Sequence, residues 1–92
     1  MVSCAATVVN QLGMHARAAA KFVHLAARFR AQIRVARDGR EMDGKSIMGL
    51  LLLAAARGSK ITIAADGVDE QQALDALAAL VESGFGEDVW SV

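Results

Sequence analysis

The 92-residue sequence lacks proline entirely and contains one cysteine and four aromatic side chains, three phenylalanines and a tryptophan. A lone thiol, Cys4, closes no internal disulfide and makes no zinc site by itself, so a disulfide scaffold and a metal finger are excluded and no metal is expected. A reducing cytoplasm is the simplest location for such a chain. Without proline the turns fall to glycine, and Gly13, Asp38-Gly39, Asp66-Gly67 and Gly84 punctuate the sequence. Net charge is absent too, ten basic side chains balancing ten acidic ones. The apolar start lacks the basic residues of a signal peptide, and Asn10 and Gln11 interrupt it early. The longest apolar run, residues 47–56, is about half the length needed to cross a bilayer, so no membrane insertion is expected.

What is present describes one folded domain over residues 1–92. A hydrophobic content of 54% with 22% charged residues contradicts the composition of a disordered chain. At this length only about 60 to 65% of the unfolded chain's surface can be hidden, so stability rests on well-packed apolar faces and no room remains for an elaborate active site. The zero net charge conceals segregation. All ten basic residues lie within residues 1–60 beside Asp38, Glu41 and Asp43, whereas residues 61–92 hold seven acids and no base. The basic part can steer acidic partners at a high on-rate.

Residues 3–9, small and β-branched, read as a strand that ends in the loop 10–13. Helical periodicity follows over residues 16–28, with Arg17, Lys21, His24 and Arg28 on one face and Ala19, Phe22, Val23 and Ala26 on the opposite one. Residues 32–36 form a strand with Ile33 and Val35 inward, Asp38-Gly39 is a two-residue hairpin turn, and residues 40–43 are the return strand. Ser46 is placed to N-cap a second helix that runs on towards Gly58. A fourth strand at 60–65 leads through Asp66-Gly67 to a third helix with Asp69 and Gln72 at capping-box spacing, an apolar stripe of Leu74, Leu77 and Val81, and Gly84 at its end. This βαββαβα order describes an α+β fold, a four-stranded antiparallel sheet with three helices on one face. Strand order is open at this level, and a ferredoxin-like sandwich fits nearly as well.

Gly13-Met14-His15-Ala16-Arg17 sets a histidine at the mouth of the first helix. The first amides of a helix lack intrahelical partners and form a natural anion site, to which Arg17 adds a bidentate phosphate donor. A neutral imidazole in that field can act as a nucleophile that accepts a phosphoryl group on nitrogen and passes it on. Onward transfer requires enough exposure for donor and acceptor to reach the group in line. By geometry alone, the plainer alternative is a polar helix cap at His15 and a solvated Arg17.

Two motifs decide between these. Asn10 with residues 13–17, and Gly44-Lys45-Ser46-Ile47-Met48-Gly49-Leu50, followed by Ile61, Ala65, Gly67 and Asp69-Glu70, resemble the HPr family of bacterial phosphocarrier proteins over roughly residues 7–85. The resemblance implies an open-faced β-sandwich whose strands are ordered first, fourth, second, third. It further implies a phosphoryl group carried on the δ nitrogen of His15 with Arg17 assisting, received from enzyme I after its own charging by phosphoenolpyruvate and delivered to an enzyme IIA domain. Such a protein is a monomeric relay and not an enzyme, and it needs no cofactor. One departure is visible. The family usually follows its active-site arginine with proline, and this sequence has Ala18, which keeps the helix but frees one more amide donor and predicts an altered phosphohistidine lifetime.

Ile47, Met48 and residues 50–53 make the second helix apolar on nearly all sides, more than a surface helix of so small a protein can bury. Leu50 and Leu53 read as core. The resemblance puts Ile47, Met48 and Leu51 on a docking side with Ala16, Ala20, Lys21 and His24, and Met48 suits a surface that repacks for several partners. By its own pattern His24 is a member of the solvated stripe, and it and His15 have too few companions for zinc. Ser46 is an N-cap by its chemistry. By resemblance it is also the target of an HPr kinase/phosphorylase, whose phosphate would put negative charge in the docking patch and repel an acidic enzyme I. Two branches are open, sugar uptake and a regulatory nitrogen- or carbon-related relay. Met14 and residues 82–88 lean towards the second, and the intact Ser46 motif towards kinase control. From a different class, a small ferredoxin-like ligand-binding module fits the fold but leaves the His15 motif and the exposed helix without purpose. Nucleic-acid binding is not expected, because Trp90 and the phenylalanines offer no stacking platform among the basic residues.

Overall fold

The computed structural model describes residues 1–87, and the Trp90 segment lies outside them. Strands β1 (Val2–Thr7), β2 (Gln32–Arg37), β3 (Arg40–Asp43) and β4 (Lys60–Asp66) form one antiparallel sheet in the order β1-β4-β2-β3. This is the order implied by the resemblance, and it closes the choice that periodicity left open. Side chains alternate with the period of two that a pleated strand imposes. Ala6, Ile33, Val35, Ile61, Ile63 and Ala65 are buried under the helices, while Ser3, Gln32, Arg34, Glu41 and Thr62 lie exposed on the uncovered face. Asp38 and Gly39 both take positive φ, 51° and 81°, the twist that a two-residue hairpin turn requires.

Helices α1 (Ala16–Ala26), α2 (Ile47–Leu53) and α3 (Glu70–Glu82) form the second layer. α3 packs on β1 and β4, α2 on β2 and β3, and α1 against both other helices. The buried side of α1 is Ala18, Ala19, Phe22 and Ala26, with Val23 only partly buried. The helix stops at Ala26 instead of Arg28, because the amides of Arg28 and Phe29 bond three residues back, to Leu25 and Ala26, and tighten the last turn.

Two capping expectations are corrected. α2 ends at Leu53 and not near Gly58: Ala54 turns left-handed at φ 51°, and Arg37 Nη1 donates to the carbonyls of Leu53 (2.9 Å) and Ala54 (3.2 Å). The amide of Met14 takes the next carbonyl, Ala55, at 2.8 Å, so tertiary donors replace the helical ones. At α3, Asp69 makes no capping box with Gln72. Its carboxylate accepts instead from the amides of Arg30 (2.9 Å) and Ala31 (2.8 Å), clasping the α1–β2 connection. The Arg30 amide bond is the largest influence holding its carboxyl below the usual range; burial opposes this, and the Ala31 amide adds to it. Glu70 accepts from the Gly67 amide at 3.1 Å, closing the turn that leads into the helix.

The far end of α3 is closed as expected by Gly84, in a paired arrangement that satisfies two carbonyls. Gly84 N donates to Val81 O (3.0 Å) and Phe85 N to Leu80 O (2.9 Å). Gly84, Phe85 and Gly86 all have positive φ, 73°, 59° and 70°, so the chain turns back sharply with the Phe85 ring fully buried.

Candidate functional site

The loop before α1 is held from three sides. Gly13 sits at φ 66°, the Met14 amide is bonded to Ala55 O, and the Asn10 amide group donates to Gly13 O at 2.7 Å. His15 follows at the N-cap with φ −81° and ψ 179°, and its carbonyl takes the first helical bond from Ala19 N at 2.8 Å. The amides of residues 16–18 therefore open the helix without helical partners. The imidazole itself makes no capping hydrogen bond, which removes the plainer reading of His15 as a helix cap.

The ring points instead to a residue 72 positions away. His15 Nε2 lies 2.5 Å from Glu87 Oε2, and Glu87 Oε1 accepts from Asn10 Nδ2 at 3.0 Å. The two side chains are 26% and 18% exposed. Burial works against the charged form of Glu87, but the hydrogen bonds from Asn10 and His15, with the charges of His15 and Lys21, outweigh it and hold the carboxyl below its ordinary range. Asn10 is completely buried, and with Nδ2 donating to Gly13 and Glu87 its Oδ1 has no partner among the described residues. Sequence reasoning gave Glu87 no role. The signal that it missed is Gly84-Phe85-Gly86, a large apolar anchor between two residues able to turn left-handed.

The other expected residues divide. Ala16, Arg17 and His24 are exposed, and Arg17 makes no ion pair among the described residues. Ala20 is partly buried, and Lys21 is more than a solvated stripe member: its Nζ donates to Phe85 O at 2.8 Å and braces the turn that carries Glu87. Ser46 caps α2, its hydroxyl accepting from Gly49 N at 3.0 Å. Ile47 and Met48 are exposed, Met48 at 65%, Leu51 is partly buried, and Leu50 and Leu53 are core. Leu12 and Leu52 extend the exposed apolar surface beyond the residues expected. Among the described residues no hydrogen bond joins α2 side chains to His15; α1–α2 packing and the Met14–Ala55 bond fix their relation. Phe22 and Phe85 are buried and Phe29 partly so, which leaves the basic stripe without an exposed phenylalanine ring.

A sheet open on one side, presenting a single partly exposed imidazole beside unpaired helix amides and an exposed arginine, defines a small group-relay domain. The family model described as PTS HPr component phosphorylation site matches residues 2–83. The phosphocarrier protein HPr of Cupriavidus necator is 53% identical over 81 residues, 88% of this chain and 91% of that protein. The crystal structure of HPr-C-His from Thermoanaerobacter tengcongensis superposes with a TM-score of 0.92 at 41% identity, covering 96% of this chain and 99% of that one. An HPr dimer from the same organism matches with a TM-score of 0.76 at 44% identity, covering 87% and 92%. The chain belongs to the HPr family of phosphocarrier proteins of the phosphotransferase system. It carries phosphoryl groups in that system and is not itself an enzyme.

Proposed function

We propose that His15 is the carrier residue and holds the phosphoryl group on its δ nitrogen, within reach of the residue 16–18 amides and Arg17. Enzyme I is the donor and an enzyme IIA domain the acceptor, in the cytoplasm. The observation that carries this reading is the pose of the ring: at the amide end of α1, with Nε2 engaged by Glu87 and Nδ1 without a partner among the described residues. Residues 1–92 act as a single domain and a monomer, in which one chain supplies His15, Arg17, Asn10 and Glu87. Incubation with enzyme I and phosphoenolpyruvate adds one acid-labile phosphoryl group that peptide mass spectrometry maps to His15, and an enzyme IIA domain removes it. Absence of uptake would favour the ligand-binding module.

Ala18 tunes this site. It is the third residue of α1, and Ala18→Pro removes one amide donor from the anion site without breaking the helix, because proline is tolerated in a first turn. One neutral hydrogen bond contributes about 1 kcal/mol. Phosphorylated Ala18→Pro should lose its phosphate several-fold faster than the parent, and equal hydrolysis rates at neutral pH would refute the contribution.

Ala16, Ala20, Lys21, His24, Ile47, Met48 and Leu51 form the docking side, and Ser46 is its control point, phosphorylated by an HPr kinase/phosphorylase. Aspartate caps helices as well as serine does, so Ser46→Asp keeps α2 while adding a charge beside exposed Ile47 and Met48. A charge desolvated in an apolar contact costs enough to slow phosphoryl uptake from enzyme I about tenfold or more. Uptake at the parental rate, with an unchanged thermal melt, is the result against it.

A further inference from the structure

We propose that Glu87 is a positioning residue for His15, delivered by the left-handed turn Gly84-Phe85-Gly86 and bracketed in place by Asn10 and Lys21. The inference rests on His15 being the carrier. Glu87 lies beyond residues 2–83, the span the family model matches, so nothing in that match assigns it a role.

A strained turn and a side-chain clamp converge on the carboxylate. Phe85 holds φ 59°, a conformation that costs a bulky residue free energy and persists only where the surroundings enforce it. Burial of its ring enforces it here, and the Lys21 bond to Phe85 O ties the same turn to α1. Glu87 N donates to Gly84 O at 3.0 Å, closing the turn behind the side chain. Asn10 then fixes the carboxylate's rotation: its Nδ2 serves both Gly13 O and Glu87 Oε1, while its buried Oδ1 has no partner among the described residues. A fold that tolerates a left-handed phenylalanine beside a fully buried asparagine within one small bracket is constrained by what the bracket holds.

What it holds is the tautomer and orientation of the ring. An ionised carboxylate only accepts hydrogen bonds, so the neutral imidazole must keep its proton on Nε2, facing Glu87 Oε2. The lone pair is then on Nδ1, the nitrogen that must attack phosphorus. As the Nδ1–P bond forms, the bond from phosphorus to the donor atom of enzyme I breaks and its electron pair returns to that atom. Nε2 keeps its proton, and the ring acquires a positive charge shared between its two nitrogens. Glu87 faces that charge and stabilises it, and the onward transfer reverses the sequence, the N–P electron pair returning to Nδ1. A buried carboxylate orients and supports a nucleophile-assisting histidine in hydrolase triads by the same physics.

The test compares the parent with Glu87→Ala and Glu87→Gln, the second retaining an acceptor oxygen without the charge. Long-range proton–nitrogen NMR at alkaline pH, where imidazole is neutral, reports the tautomer of His15. The parent should be held as the Nε2–H form, Glu87→Ala should raise the Nδ1–H fraction about tenfold, the equivalent of losing one charge-assisted hydrogen bond, and Glu87→Gln should fall between. Phosphoryl uptake from enzyme I should drop about tenfold in kcat for Glu87→Ala with little change in KM, and recover partly in Glu87→Gln. An unchanged tautomer with unchanged kcat overturns the role of Glu87 while leaving the carrier assignment intact. A parent protein that takes no phosphoryl group on His15 overturns the carrier assignment, and the role of Glu87 with it.

Discussion

A His15→Ala variant takes up no phosphoryl group from enzyme I and phosphoenolpyruvate, its signal falling by more than about 1000-fold, as removal of a sole nucleophile demands. Neither His24, Cys4 nor Ser46 can substitute. His24 is exposed but sits in the last turn of α1, about 13 Å further along the axis at 1.5 Å per residue, where carbonyls and the negative end of the helix dipole disfavour a phosphoryl group. Burial, helped by the charges of Glu82 and Asp75, pushes the Cys4 thiol up and keeps it protonated. The Ser46 hydroxyl, whose one hydrogen-bond partner is the Gly49 amide, has no base to activate it for uptake from enzyme I, and a phosphate placed there by a kinase would be an acid-stable ester and not the acid-labile group that is scored. The His15 ring makes no cap and its backbone bonds remain, so the fold should lose only the bond to Glu87, about 1–3 kcal/mol. Mass spectrometry paired with circular dichroism reads both. A folded variant that still gained one acid-labile phosphate would place the carrier residue elsewhere.

The largest structural effect is expected at Gly13. A Cβ there would lie 2.5 Å from Ala55 O and 2.9 Å from Ala56 Cα, both backbone atoms, and φ is 66°. Left-handed backbone costs an L-residue about 1–2 kcal/mol, and overpacking adds about 1–3 kcal/mol. Gly13→Ala should therefore lose about 2–5 kcal/mol, and with about 4–8 °C per kcal/mol in a domain this size the melting temperature falls by about 8–40 °C. Gly39→Ala supplies the control, since φ there is 81° but nothing stands within 4 Å of the added carbon. It should show only the backbone part. Equal losses at the two positions would mean that the 13-to-55 contact is not the constraint. Gly13→Ala should also slow phosphoryl uptake at temperatures where it remains folded, because relief of the clash moves Met14 off Ala55 and shifts the ring two residues on.

Local chemistry made much of this fold readable. Asp38-Gly39 and the Ser46 cap depend on neighbours within four residues, and both stand as expected. The failures share a cause. Nothing in residues 52–56, all good helix formers, announces that Arg37 and Met14 will take the carbonyls that the next turn needed. Asp69 and Gln72 have the right spacing for a capping box, but the two amides at 30 and 31 offer Asp69 better partners across the layer. Strand order came from family likeness, since pairing of β1 with β4 leaves no periodic trace in either strand. The site was half legible: the motif around His15 identifies the ring, but which nitrogen is engaged depends on a carboxylate that only the folded chain brings near.

The pairing of β1 with β4 also orders events in time. The β2–β3 hairpin closes over two residues and can form within microseconds, whereas Thr7 must meet Lys60 and Val2 must meet Ala65 before the first strand has any partner at all. Closing so long a loop costs entropy before any burial returns it, which raises the barrier relative to a helical bundle of the same length. The first strand made is thus expected to be the last seated, because β4 is its one neighbour in the sheet and β4 itself pairs with β2. Docking of β1 after the hairpin is the order expected from this topology, and on that order a substitution in the β2–β3 turn should change the unfolding rate, read by stopped-flow fluorescence or circular dichroism, less than one at the β1–β4 seam.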